Sequence, residues 1–372
     1  MNPSVSSTVV DRWLVAGIPR TMSFGGNLRA AHLWRTLAER TVAVRPTGFG
    51  RRGLLPLATA IATTSRLWHR PVHVASTQLI PVIGLPLLRG AVRARALDLH
   101  DHPRLQSEAF RLVLPVARSR QLDDLVHRNV DLFERVVVPS ASFAELCNVP
   151  TEKVLVISNG ADTAHIVPAI APSNPVVAMV SGAASGRGIE LLVDAVAAVR
   201  AEVPNATLRL ALTATGPASL AYLREITRQL SDRSWVSIES VPYASLSQFL
   251  GEAAVLAVPH PRNDYMDAAL PVKLFDSMAA GRPVVVTPRH ETVRIVTSCD
   301  AGLVARSDHV DDFAAAITRL LLDQSLRHEL GANARRCAVE HYDWSVLAGH
   351  LADALLIPQA ASTANDPQNA SR

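Results

Sequence analysis

Cysteine is scarce: only Cys147, Cys299 and Cys337 occur in 372 residues, and no two share a Cys-x-x-Cys spacing. Such wide separation argues against a disulfide framework and is the usage expected of a reducing compartment. Long apolar runs are missing as well, since the run from Leu79 to Leu88 is broken by Pro81, Gly84 and Pro86. A bilayer crossing needs about twenty apolar residues. No basic, apolar, small-residue leader pattern opens the chain, so the expected location is the cytoplasm. Aromatic residues make up 5% and never interleave with a basic run, which removes nucleic acid as an expected partner. Asp-x-Asp, a carboxylate pair suited to clamping a metal and a diphosphate, is absent.

The net charge of +4 is unevenly spread. Residues 1–165 hold 20 Lys and Arg against 12 Asp and Glu, while residues 166–372 hold 17 against 21. Almost all of the positive charge is Arg, which suits bidentate phosphate contacts. A solvated basic face explains the first half's excess without a ligand; peripheral docking on an anionic membrane, at its inner face, is the alternative partner it leaves open.

Apolar, strand-like runs alternate with amphipathic helical ones along most of the chain. In the first half the runs are Trp13–Ala16, Val42–Val44, Val72–Ala75, Ala96–Leu99, Val136–Val138 and Val154–Ile157, with a helix expected from about Asn27 to Arg40. A stretch with Pro168, Pro172 and Pro175 reads as a linker, and a second series then starts at Val176. The length suits two cores. The expected fold class is therefore α/β, with two doubly wound domains facing a cleft. The expected division is 1–168, 169–345, a terminal helix over 346–357, and a disordered tail over 358–372 that lacks periodicity.

In such sheets ligands sit beyond the carboxyl ends of strands, so chemistry is sought in those loops. Leu270 to Thr287 is the most informative stretch. Pro271 is expected to open a helix and Gly281 to close it, ahead of a buried strand of valines. Lys273 beside the helix start makes an anion site, and Asp276 one turn on can accept hydroxyls. The loop Ser181–Gly188 fits neither a dinucleotide fingerprint nor a P-loop, but it offers flexible backbone at Gly182 and Gly188 and one cation, Arg187. Asp98-Leu99-His100-Asp101-His102 ends another strand and suits acid/base work or hydroxyl orientation. No second pair at ligand spacing follows it, so no metal is expected. Gly25-Gly26 before a helix allows close backbone approach to a phosphate or sugar, or simply makes a turn. Asn159-Gly160 is a turn signal that serves a domain junction or a substrate contact equally well.

The Pro271-Val272-Lys273-Leu274-Phe275-Asp276 block resembles the nucleotide-sugar signature of the retaining glycosyltransferases of the GT-B fold, the glycosyl transferases of group 1 or family 4. That large group includes bacterial cell-wall, capsule and glycolipid transferases. The 181–193 and 154–162 stretches resemble it more loosely. The resemblance implies two Rossmann-like domains and a nucleotide-diphosphate sugar as donor substrate, with no further cofactor. It also implies a glycan, glycolipid or small-molecule acceptor, and transfer with retention of configuration. It places Arg187 and Lys273 on the diphosphate, Asp276 on the ribose and His100 at the transferred sugar. Gly25, Gly26, Gly182, Gly188, Pro271 and Val272 would complete the donor site. Two departures stand out: Ala268 where a first acid is usual, with Asp267 adjacent, and Ala183 where a second cation is usual. They leave open a binding protein without transferase activity. A sugar-nucleotide epimerase of the same architecture is the other alternative.

Overall fold

The computed structural model describes residues 13–16, 25–34, 72–77, 79, 92–111, 115–170 and 172–356. Every strand among them pairs in parallel, in two sheets. The first runs β1 (Trp13–Ala16), β2 (Val72–Ser76), β3 (Val92–Asp98), β4 (Arg135–Val138) and β5 (Val154–Val156), adjacent in that order. The second holds β6 (Val176–Gly182), β7 (Thr207–Thr213), β8 (Val236–Glu239), β9 (Val255–Val258), β10 (Val284–Val286) and β11 (Gly302–Val304). Their order is β11-β10-β9-β6-β7-β8. The expected class, two doubly wound α/β units, holds. The strand expected at Val42–Val44 and the tail from 358 lie outside the described residues.

Four helices accompany the first sheet among the described residues: α1 (Gly25–Leu33), α2 (Pro103–Ala109), α3 (Val116–Leu132) and α4 (Ala141–Leu146). With the second sheet go α5 (Ile189–Val199), α6 (Pro217–Gln229), α7 (Leu246–Gly251), α8 (Asp264–Ala268), α9 (Val272–Ala279), α10 (His290–Ser298), α11 (Val310–Leu322) and α12 (Gln324–His341). A last helix, α13 (Trp344–Leu356), follows. α5 shows why they form: Ile189, Leu192, Val193, Val196 and Val199 recur at helical spacing and are all buried against the sheet. The β10 valines are wholly buried, as a central parallel strand requires.

The strand order decides where a ligand can sit. β6 runs onward to β7 on one side while β9 lies on the other, so the connections leave this point in opposite directions. β6 pairs β9 only at Val177–Val255 and Ala178–Leu256, after which β6 continues to Gly182. A crevice therefore opens at the carboxyl ends of these two strands.

Two segments tie the halves together. α13 buries Trp344, Leu347, Ala348, Leu351, Ala352 and Leu355 in the core that holds Val15, Leu33, Trp34 and Val137, so this helix lies on the first sheet. Its entry is fixed by a short parallel bridge, in which Ala161 N–H donates to the Tyr342 carbonyl (2.9 Å) and Trp344 N–H to the Ala161 carbonyl (3.0 Å). The linker is pinned rather than loose. Arg282 donates to the carbonyls of Ala169 and Ile170, and Arg335 to those of Thr163 and Ile166.

One expectation is overturned. Cys299, after α10, and Cys337, on α12, are joined by a disulfide with their Cα atoms 5.7 Å apart. Sequence separation did not reveal this, because α10 and α12 pack into one core cluster that brings the two together. Cys147 remains a buried thiol, which burial, aided by the Asp101 charge, pushes up to about 12.

Gly160 lies where the bridge leaves no room: a Cβ there would overlap the Tyr342 carbonyl oxygen and crowd Leu347. Gly160→Ala is expected to cost about 1–3 kcal/mol, because backbone on both sides must shift. Chemical denaturation of the two proteins measures it, and an unchanged midpoint would contradict the packing described.

Candidate active site

Between the carboxyl ends of the two sheets lies a cavity of about 780 Å³. His100 reaches it after β3, Gly182 and Arg187 after β6, Tyr243 after β8 and His260 after β9, while α9 presents Lys273 and Asp276. Seven of the residues singled out from the sequence thus share one wall system: His100, Gly182, Arg187, Pro271, Val272, Lys273 and Asp276.

The electrostatics are dominated by cations without carboxylate partners. Lys273 is one of only two lysines in the chain. It stands in the first turn of α9, whose unpaired N–H groups add partial positive charge. Pro271 occupies the cap position with extended backbone, one residue before the helix proper. Lys273 Nζ is buried and meets no acceptor among the described residues, and the same is true of Arg187 Nε. Burial, and then the Arg187 charge, hold the Lys273 ammonium well below the usual lysine range. Burial also lowers Arg187, against the opposing pull of Tyr265 and Asp101. The Arg187 guanidinium lies 3.8 Å above the Phe110 ring, so a residue of the first half carries the flat face of a cation from the second.

Asp276, one turn beyond Lys273, is 6% exposed. Burial, with Asp162 adding its charge, pushes its carboxyl well above the usual range. A carboxyl that retains its proton can both donate to and accept from a diol.

His100 is positioned by a buried network. Arg29 Nε donates to both oxygens of Asp98 (2.9 and 3.1 Å), and Trp34 Nε1 donates to the second (2.9 Å). Burial alone would raise Asp98, but the Arg29 guanidinium, with His100 behind it, holds it at about 2. Asp98 Oδ1 stands 3.7 Å from His100 Nδ1, and Asp101 faces the other nitrogen at 3.9 Å. Burial opposes protonation of His100, yet Asp98 and then Asp101 outweigh it and raise the imidazole above its ordinary value. Arg29 also donates to the carbonyls of Ile157 and Ser158 and to Asn159 Oδ1, whose amide in turn reaches the Leu270 carbonyl (2.6 Å). One guanidinium therefore links α1, β3, the Asn159 turn and, through Asn159, the segment entering α9.

Some expected residues stand elsewhere. Gly25 and Gly26 form the first turn of α1 itself rather than a loop before it, and that helix reaches the cavity through Leu28 and Arg29. Gly188 does not line the cavity. It caps α5 with φ +76°, and a Cβ there would overlap the Pro259 carbonyl, so it seats the loop on the end of β9. Asp267 does not replace the acid absent at Ala268, because its carboxylate pairs with Arg289 (3.3 Å), which Asp308 also binds. Ala268 is buried beside Phe143 and Ala144, and Ala183 is 1% exposed. Tyr265, which the sequence did not single out, crosses between the halves: its hydroxyl donates to Asp101 Oδ1 (2.7 Å) and accepts from Gln106 (3.2 Å). Arg29 was missed as well. Its signal was a lone Arg within the apolar run Leu28 to Leu33 of a predicted helix.

The architecture and this cleft define a GT-B fold. The structure is similar to sucrose-phosphate synthase from Thermosynechococcus elongatus, with a TM-score of 0.70, 15% identity and coverage of 92% of this chain and 98% of that one. It is also similar to Anabaena HepE in complex with UDP-glucose, with a TM-score of 0.69, 17% identity and coverage of 93% and 99%. Residues 174–323 match the family model of the glycosyl transferases group 1. Among curated relatives, the GDP-mannose-dependent alpha-(1-6)-phosphatidylinositol monomannoside mannosyltransferase of Mycolicibacterium smegmatis is 27% identical over 187 residues. The match covers 49% of this chain and 47% of that protein. The MMP alpha-(1->4)-mannosyltransferase of Mycolicibacterium hassiacum is 29% identical over 229 residues, 58% of this chain and 52% of that one. The chain thus spans about half the length of these relatives in its matches.

Asp98→Asn would leave the wholly buried Arg29 guanidinium without its carboxylate, and a loss of about 3–5 kcal/mol is expected. The ordinary Asp98 value of 3.8 falls to about 2 in the fold. Its contribution is therefore present above about pH 4 and is lost as pH falls toward 2. Urea denaturation of wild type and variant between these limits checks both the size and the direction.

Proposed function

We propose that the protein transfers a sugar from a nucleotide diphosphate donor to an acceptor hydroxyl, with retention of anomeric configuration and without a metal ion. The observation that carries this reading is the pair of buried cations, Lys273 and Arg187, on one cavity at the strand-order reversal, with Asp276 one helical turn away. Breaking the bond between sugar and diphosphate develops negative charge on the departing phosphate. Preorganised cations and a helix N-terminus stabilise that charge in a site shielded from water. Lys273, Arg187 and the start of α9 fill this role, while Asp276 binds the ribose hydroxyls. His100, held by Asp98, orients the transferred sugar from the opposite wall.

The nucleotide-sugar donor is supported by the family-model match of residues 174–323 and by the names of the relatives, one of which is GDP-mannose-dependent. The acceptor, in this reading, is a glycan, a glycolipid or a small molecule with a free hydroxyl. A specific observation favours a second reading, a nucleotide-sugar binder without transfer: Ala183 and Ala268 are both buried, so neither position supplies a charge to the donor.

Thermal-shift measurements with UDP-, GDP-, ADP- and dTDP-sugars test donor binding, since a ligand at 100 times its Kd adds about 2.7 kcal/mol to stability. One nucleotide series is expected to raise the melting temperature, and no response to any of them would defeat the proposal. Donor hydrolysis or transfer by the pure protein then separates the two readings. Lys273→Ala is expected to lower that turnover by roughly 100-fold or more, the effect of removing one preorganised charge from a departing anion. The anomeric proton coupling of the product, read by NMR, decides retention.

A further inference from the structure

His260 follows β9 where the strand order reverses, and it is 2% exposed. It lines the same cavity as Lys273 and Arg187. Among the described residues neither of its ring nitrogens meets a donor or acceptor. In either neutral tautomer one nitrogen carries a hydrogen and the other a lone pair, so both capacities go unanswered inside the fold. Buried polar groups in that condition call for a ligand or a reason, because each costs about 1–3 kcal/mol. The backbone that carries the ring is held on both sides. Thr287 Oγ1 donates to the His260 carbonyl (2.6 Å), and Gly188 seats the Arg187 loop on the preceding Pro259.

The charged groups acting on the ring are Lys273 from α9, Arg187 from the loop after β6, and Arg289 from the connection after β10. Arg289 is answered by Asp267 and Asp308. Lys273 and Arg187 are left facing the imidazole, and burial together with these cations keeps it in the neutral form. An anion bound between the two cations reverses that balance and supplies an acceptor at the same time.

We propose that His260 is a third ligand of the donor's diphosphate, neutral when no nucleotide is bound and protonated from solvent when the diphosphate binds, in partial replacement of the cation absent at Ala183. The proposal rests on the reading of Lys273 and Arg187 as the diphosphate site. In this step one proton moves from solvent to a ring nitrogen and no bond of the donor changes. The imidazolium N–H then donates to a phosphate oxygen as a charge-assisted hydrogen bond.

Calorimetric titration of the full chain with UDP and with GDP, across pH and in buffers of different ionisation enthalpy, counts the protons taken up. His260→Gln keeps hydrogen-bonding capacity but cannot be charged. Relative to it, the wild type is expected to take up more protons and to bind about tenfold tighter near pH 6, the gap closing toward about pH 8. Titration of the nucleotide and of Lys273 is common to both proteins, so the difference isolates the imidazole. Nitrogen-15 NMR of histidine-labelled wild type gives a readout that needs no variant: one imidazole is expected to convert to imidazolium on nucleotide addition. Equal affinity, pH profile and proton count in the two proteins, or no histidine changing state at saturation, would overturn the proposal. If the wild type binds no nucleoside diphosphate, ADP and dTDP included, the diphosphate reading itself falls, and this inference with it.

Discussion

Positive charge that the protein does not neutralise is the constraint around which the second domain is arranged. Two cations, Lys273 and Arg187, have nitrogens out of water and no carboxylate bonded to them among the described residues, whereas the buried Arg29 and Arg289 have acid partners. Arg29 has Asp98 and three further acceptors, and Arg289 has Asp267 and Asp308. The contrast matters because an unpaired buried charge is among the most expensive features a fold can carry. In the proposed reaction Lys273 and Arg187 are answered by an anion that comes from outside. Carboxylates lie near, but they are engaged: Asp101 holds Tyr265, and Asp267 is drawn away to Arg289.

The bare charges are tolerable only because backbone holds them apart and in place. Lys273 is fixed by a helix that is buried along almost its whole length and crossed by α12. Arg187 is fixed by glycines: Gly188 presses on Pro259, while Gly186, at φ +78°, leaves no room for a Cβ against the Ala109 carbonyl. The flat face of the guanidinium is then covered by Phe110. Packing supplies the position that ion pairing supplies elsewhere, and so the charge itself stays available.

How much of this was legible depended on whether a residue's partners lay nearby in sequence. Lys273, Asp276 and Arg187 announce themselves through local context, a capped helix start or a glycine loop between strand and helix, and the cavity brings them together with His100. The two sheets were legible for the same reason, since strand and helix periods are local properties. Arg29 with Asp98 and Asn159 with Leu270 were not, because their partners are 69 and 111 residues away. The Cys299–Cys337 disulfide escaped for the same cause, a pairing made by helix packing across 38 residues. Gly25-Gly26 misled in the opposite way: the sequence suits a turn, yet helix geometry starts at Gly25 and the cavity is reached from Leu28 and Arg29.

Several contacts between the two halves converge on the cavity, and this bears on what Ala268 means. Tyr265 reaches Asp101 and Gln106, Asn159 reaches Leu270, and Phe110 covers Arg187. The α8 segment that would carry an acid instead buries Ala268 against Phe143 and Ala144 of α4, and the Ala268 carbonyl accepts from Ser140 Oγ (2.9 Å). A carboxylate at that position would be desolvated in an apolar cluster at a cost of several kcal/mol. The alanine is part of a dry seam holding α8 to α4. Polar side chains facing the cavity on this side come from His100 and Asp101 after β3 and from Tyr265, all within one hydrogen-bonded and charged cluster. Sugar recognition, in the proposed reaction, therefore falls to this cluster, which draws on both halves, while Lys273 and Arg187 hold the phosphates. Tyr265 holds Asp101 across the seam between the halves, so the groups assigned to the sugar in the proposed reaction depend on the same contact that covers Arg187 with Phe110.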